Sequence, residues 1–135
     1  MAARNRVIAA LVVGVAAAGH ATPKPRCIVA GTWTGSGDDV AGTHWTFVLE
    51  LAEHDGVVTG TFHWKTKAGA GDEHVRGRLD CEKATLVMSG SSVSGGLATA
   101  DYHLTLGGDS KTMRGPWTCQ SQVPCIEGQL AGTRR

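Results

Sequence analysis

A glycine followed two residues later by a bulky apolar side chain occurs at Gly31-Thr32-Trp33. It returns at Gly60-Thr61-Phe62, Gly77-Arg78-Leu79, Gly115-Pro116-Trp117 and Gly128-Gln129-Leu130. Residues two apart on a strand share a face, so each copy sets a gap beside a large group on one side of a pleated surface. Glycine weakens a strand interior, and its usual reason for being there is a bend, a bulge or the close approach of something large to the backbone. The large neighbours expected here are indoles. This is the construction of a β-barrel, and no window of the chain keeps a helical period for more than two turns.

Eight short alternating runs, each bounded by turn residues, are the strand candidates. They are 29–35, 43–53, 57–66, 73–80, 84–89, 100–106, 111–119 and 126–133. Three connections are tight: His54-Asp55-Gly56, Cys81-Glu82-Lys83 and Gly107-Gly108-Asp109-Ser110. Asp-Gly and Gly-Asp at such places are hairpin chemistry. Four connections are longer: 36–42, 67–72, 90–99 and 120–124. If strands alternate up and down, all the long loops fall at one end and all the tight turns at the other. The expected fold is therefore an all-β, eight-stranded antiparallel up-and-down barrel with a closed end and a loop-rich mouth. A two-sheet sandwich is the alternative.

Met1 to Ala21 reads as a secretory signal peptide, with Arg4 and Arg6 ahead of the apolar run Val7 to Ala18 and a small-x-small site at Gly19-His20-Ala21. The run is too short to span a bilayer, and no later stretch is apolar enough, so the mature chain is expected to lack a membrane span. Thr22 to Arg135 then forms one domain, secreted or periplasmic. Without Arg4 and Arg6 the 13 basic residues fall to 11 against 12 acidic, a charge near −1 that offers nucleic acid no basic footprint.

Four cysteines in an exported chain imply two disulfides rather than a metal site, since the short C-x-x-C pairs of zinc sites are missing. Topology chooses among the three pairings. Cys119 and Cys125 flank the seventh connection at the mouth, whereas Cys27 and Cys81 both lie at the closed end. The expected bridges are Cys27 with Cys81 and Cys119 with Cys125; any other pairing would join opposite ends of the barrel, far beyond the ~7 Å limit on Cα separation.

Period two through the strands collects one inward apolar set: Trp33; Trp45, Phe47, Leu49 and Leu51; Val58, Phe62 and Trp64; Val75 and Leu79; Leu86 and Met88; Tyr102, Leu104 and Leu106; Met113 and Trp117; Ile126 and Leu130. The opposite set is Thr, His, Arg, Lys, Glu and Asp, the one-sided polarity of an antiparallel sheet over a core. Trp45 and Trp117 sit nearest the mouth, with Trp33 in mid-strand. A buried indole N–H wants a partner, and backbone carbonyls at the mouth are the expected ones.

Gly31-Thr32-Trp33 opening the first strand, with Val57-Val58-Thr59-Gly60-Thr61-Phe62 after the second turn, resembles the start of the avidin family, an eight-stranded barrel within the wider group that includes the lipocalins. The likeness covers about a third of the chain. It implies the same barrel. It argues little for biotin, which that family holds through inward Asn, Ser, Tyr, Thr and Asp side chains, because the inward set here has one polar tip, Tyr102. Each unsatisfied polar group of a ureido ring would cost about 1–3 kcal/mol.

The remaining chemistry is sparse. His44, His63, His74 and His103 fall on the outward parity, His54 is in a turn, and none has the i, i+2 partner that would place two imidazoles on one strand face. Ser91, Ser92 and Ser94 lack the strand-turn-helix setting that exposes a nucleophile. Asp38-Asp39 and Asp72-Glu73 stand in mouth loops, where a carboxylate could accept a cation or a ligand amine, although an acidic pair in such a loop is more often a soluble turn. The expectation is a non-enzymatic binding protein without a cofactor or metal, holding a small, largely apolar ligand at the mouth. Trp45 and Trp117 are the expected contacts, Trp33 and Tyr102 lie deeper, and Asp38 stands at the rim. The alternatives are a protein-interaction module such as a protease inhibitor, working through the mouth loops or Thr22 to Arg26, and a barrel filled by its own side chains.

Overall fold

The computed structural model describes residues 26–95, 98–120 and 127–135. The expected signal segment, Cys125 and Ile126 lie outside the described residues, as does most of the tail Thr22 to Arg26. Eight strands run β1 (Gly31–Asp39), β2 (His44–His54), β3 (Val57–Thr66), β4 (Gly69–Asp80), β5 (Thr85–Val93), β6 (Ala100–Leu106), β7 (Thr112–Cys119) and β8 (Glu127–Arg134). Each pairs antiparallel with its neighbours in sequence. β1 then meets β8, from Trp33 opposite Arg134 to Asp39 opposite Gly128, and closes the barrel. Every strand therefore has two partners, which removes the sandwich. Among the described residues no helix is long and apolar enough to cross a membrane.

Turn chemistry explains the closed end. Asp55 and Gly56 both take positive φ, 51° and 81°, between the paired residues His54 and Val57, the two-residue geometry that matches strand twist. Cys27 and Cys81 are disulfide-bonded with their Cα atoms 5.5 Å apart. The bridge ties the segment before β1 to the turn after β4. It also positions Val29, which is buried and whose carbonyl accepts the Trp33 indole N–H at 2.8 Å.

The loops differ from expectation. β1 runs on through Ser36-Gly37-Asp38-Asp39, β4 begins at Gly69, and β5 continues to Val93. Thr66 pairs with Gly69, so the expected loop 67–72 shrinks to Lys67-Ala68. The mouth thus carries one tight hairpin of its own. Glycines and short polar residues read as loop in sequence, but here they serve as strand: Gly37 lies against the backbone of Gln129 and Leu130, where a Cβ would meet the Gln129 carbonyl at 2.8 Å.

The inward set forms the core, with Trp33, Leu49, Val58, Phe62 and Leu86 fully buried. Its glycine gaps are filled differently from expectation. A Cβ on Gly60 would stand 2.1 Å from the Glu50 carbonyl oxygen, and one on Gly77 would stand 1.9 Å from that of Val87. The close neighbour at these positions is the adjoining strand, with Leu51 and Met88 side chains behind it, rather than an indole. Glycine here lets strands approach and tilt, as closing a small barrel demands.

Candidate functional site

The mouth is built from the C-terminal halves of β1, β3, β5 and β7 and the N-terminal halves of their partners. Period two brings Trp45 and Phe47 of β2, Phe62 and Trp64 of β3, Tyr102 of β6 and Trp117 of β7 to its interior. The rings of Trp45, Phe47, Phe62, Trp64 and Tyr102 make one continuous cluster. Phe62 stacks on Trp64 with centroids 4.8 Å apart and on Tyr102 at 4.7 Å, and Trp45 meets Trp64 edge to face at 5.9 Å. Phe47 packs edge-on to Phe62 and Trp64 at 5.3 and 5.2 Å. Phe47, Phe62, Trp64 and Tyr102 are buried, whereas Trp45 and Trp117 are only partly so, and they form the exposed margin of the aromatic surface.

Two carboxylates enter this apolar wall. Glu73 is 1% exposed. It shares parity with Val75 and therefore points inward. Its Oε1 accepts the Tyr102 hydroxyl, and its Oε2 accepts the Ala100 amide at 2.8 Å. A Cβ on Gly90 would fall 2.0 Å from Oε2, so only glycine leaves the carboxylate room there. Burial pushes the Glu73 carboxyl above its usual range; Tyr102, Ala100 and the adjacent Trp64 indole pull the other way. Burial and the facing carboxylate likewise raise the Tyr102 phenol. Tyr102 is thus not the lone polar tip inside the barrel.

Asp39 is the second inward carboxylate. Its Oδ1 accepts the amides of Ala41 and Thr43, both at 2.9 Å, closing the turn into β2. Its Oδ2 accepts the Trp45 indole N–H at 3.3 Å. Asp38, the sequence candidate, points the other way. It is exposed and takes a hydrogen bond from His44 Nδ1 at 2.7 Å on the outer face.

The other candidates are placed as follows. Trp33 lies at the closed end, fully buried, with Arg134 over its ring at 6.0 Å and its N–H spent on Val29. Trp45, Tyr102 and Trp117 come together at the mouth, and Tyr102 and Trp117 are paired across β6 and β7. Of the four indoles, only Trp33 bonds a backbone carbonyl. Trp45 turns to a carboxylate instead, and Trp64 lies beside the Glu73–Tyr102 pair. The Trp117 Nε1 is buried and has no hydrogen-bond partner among the described residues. It lies over Gly128, 2.9 Å from where a Cβ would stand. The sequence reading offers Asp39 and Glu73 only as mouth-loop carboxylates, and their burial is missed because a carboxylate in a Gly-Ser or Gly-Asp stretch looks like a solvated turn. The signal that could have found Glu73 is its parity with Val75 and Leu79.

On the outer wall, His63 stands between Asp72 at 2.8 Å and Glu50 at 3.3 Å, so both ring nitrogens are taken by carboxylates. Those partners, Asp72 first, hold the imidazole above its usual range against the opposing effect of burial. Among the described residues no group of three or more His, Cys, Asp or Glu could hold a metal ion. A shallow cavity of about 560 Å³, lined chiefly by outward residues including Thr34, Ser36, Thr105 and Thr133, lies on the flank away from the mouth.

Fold and site together define a small, closed, up-and-down β-barrel with an aromatic mouth. No family model matches the sequence, and no curated protein matches it. Two solved structures are similar in fold. One is EF1p2_mFAP2b bound to DFHBI, with a TM-score of 0.65, 8% identity, and coverage of 78% of this chain and 93% of that one. The other is the redesigned beta barrel mFAP0 bound to DFHBI, with a TM-score of 0.59, 9% identity, and coverage of 78% and 97%. At such identities the likeness is one of fold.

Proposed function

We propose that this chain is an exported, non-enzymatic binding protein that holds a small, largely apolar ligand at the barrel mouth. The observation that carries the reading is the pair of partly buried indoles, Trp45 and Trp117, set above a buried floor of Phe47, Phe62, Trp64 and Tyr102. An indole left partly in water at the rim of an aromatic pocket supplies contact area that a ligand can desolvate. Below that floor Leu49, Val58, Leu86 and Leu104 are 0–1% exposed, which keeps the ligand at the rim and out of the packed half. The two similar barrels, both bound to DFHBI, support the choice of a ligand over a protein partner. The Cys27–Cys81 bridge fits an oxidising compartment, secreted or periplasmic. The non-enzymatic part rests on the sequence, where Ser91, Ser92 and Ser94 lack the strand-turn-helix setting that exposes a nucleophile.

The test is a calorimetric titration of the mature protein with a series of small planar aromatics, repeated on Trp117→Ala and Trp45→Ala. The reading expects saturable binding that either substitution weakens by tenfold or more, as loss of a central aromatic contact does. Affinity unchanged in both variants would refute it.

A further inference from the structure

Resting on that reading of the mouth, we infer that the ligand carries a neutral hydrogen-bond acceptor, a carbonyl oxygen or an aromatic ring nitrogen, that receives the Trp117 Nε1–H, and that anionic ligands are excluded. Three features lead there. First, Trp117 Nε1 is the one buried side-chain nitrogen or oxygen without a partner among the described residues. Trp33 and Trp45, by contrast, spend their N–H groups on Val29 and Asp39. Native proteins rarely leave such a donor unpaired, and an acceptor that arrives with a ligand recovers what burial cost.

Second, the acceptor must come from outside the site's own wall. The side facing the indole nitrogen is Gly128, which has no side chain to offer, and Tyr102, paired with Trp117 on β6, turns its hydroxyl to Glu73 and makes no hydrogen bond with the indole nitrogen. A side chain at 128 could not serve either, since its Cβ would stand 2.2 Å from the Asp38 carbonyl oxygen.

Third, the buried charged residues are both acidic, Asp39 and Glu73, and neither is ion-paired among the described residues. A carboxylate ligand would satisfy the indole N–H but would enter a low-dielectric site already holding two buried acidic side chains, with no cation to offset its charge. A neutral acceptor meets the donor without that repulsion. Because Nε1 is shut from water, the ligand reaches it by parting the rim, and no solvent bond is given up in exchange.

Three compounds of nearly one shape separate the outcomes: naphthalene with no acceptor, quinoline with a neutral ring nitrogen, and 2-naphthoate with an anionic one. Each is titrated calorimetrically near neutral pH into the mature protein and into Trp117→Phe. Quinoline is expected to bind about tenfold more tightly than naphthalene in the wild type and equally in Trp117→Phe, with 2-naphthoate the weakest of the three. Should Trp117→Phe fail to fold, the four indole N–H cross-peaks of the ¹⁵N-labelled wild type replace it: quinoline should move the Trp117 peak downfield and naphthalene should not. Equal affinity for quinoline and naphthalene in the wild type overturns the acceptor while leaving the binding function in place. Tight binding of 2-naphthoate overturns the exclusion of anions. Failure of all three to bind overturns the binding function itself.

Discussion

Cutting the Cys27–Cys81 bridge should remove about a third or more of the stability of a domain this size, and the effect can be worked from the chain. The two residues are 54 apart in sequence, so the bridge closes a loop that holds β1, β2, β3 and β4. Closing a loop of that length removes denatured-state entropy worth about 4 kcal/mol at room temperature. The double variant Cys27→Ser/Cys81→Ser leaves no unpaired thiol at this end of the barrel. With an m-value near 2 kcal/mol/M, its urea midpoint should fall by about 2 M, and the m-value itself should rise because the freed denatured chain exposes more surface. Tryptophan fluorescence through the transition measures both. A local readout accompanies the global one: Trp33 Nε1–H donates to Val29, two residues from Cys27, so its exchange with solvent should accelerate once the segment is untied. A midpoint shift under about 0.5 M with an unchanged m-value would refute the reasoning and show that β1 holds the segment without the bridge.

Gly77→Ala places a Cβ 1.9 Å from the Val87 carbonyl oxygen and 2.8 Å from Met88 Cγ, and should destabilise the barrel by about 2–4 kcal/mol in a denaturant titration, the size of an overpacking defect with backbone displacement. Glu73 has its folded-state carboxyl raised above 4.5 by burial, so the folded state favours the protonated form; this contribution to stability is present below 4.5 and is lost as pH rises through the folded value. Glu73→Gln should therefore flatten the stability–pH curve just above 4.5, as followed by thermal melts across that window. His63 is raised above 6.5 by Asp72 and Glu50, so its contribution is present below 6.5 and fades as pH climbs past the folded value. That contribution should be small because the three side chains are well exposed, and an NMR titration of His63 placing its midpoint below 6.5 would contradict the geometry.

Much of the barrel was legible because its evidence is local and periodic. Trp33, Phe47, Leu49, Phe62, Tyr102 and Met113 alternate with polar residues on short strands, and that pattern has one economical closure. The parity of the connections then placed Cys27 beside Cys81. What sequence hid was the extent of strands made of small residues. Gly37-Asp38-Asp39 and Gly69-Ala70-Gly71-Asp72 look like loop until a neighbouring strand is present to pair with them. Charge misled in the same way at Glu73: period two pointed it inward, but a carboxylate in an apolar core is costly unless Tyr102 and the Ala100 amide meet it, and those partners come from another strand 27 and 29 residues away. The glycine repeat announced curvature correctly, and the indole neighbour it named stands at Gly128 beneath Trp117, whereas at Gly60 and Gly77 the adjoining backbone does the crowding. The unpartnered Trp117 nitrogen was beyond reach, because an absence of partners is a property of three-dimensional surroundings.

The β1–β8 seam has a mechanical consequence. Both strands leave the barrel at the closed end, so a pull applied between Gly31 and Arg134 opens their ladder one bond at a time instead of shearing it whole. The oxidised chain redirects that load. Force entering ahead of Cys27 passes through the sulfur bridge into Cys81 and the β4–β5 turn, and β1 can be drawn out no further than the bridged loop allows. Stretched from both sides, the molecule should yield first by peeling β8 from β1 and β7, with the aromatic mouth at the far end the last part of the seam to feel the pull.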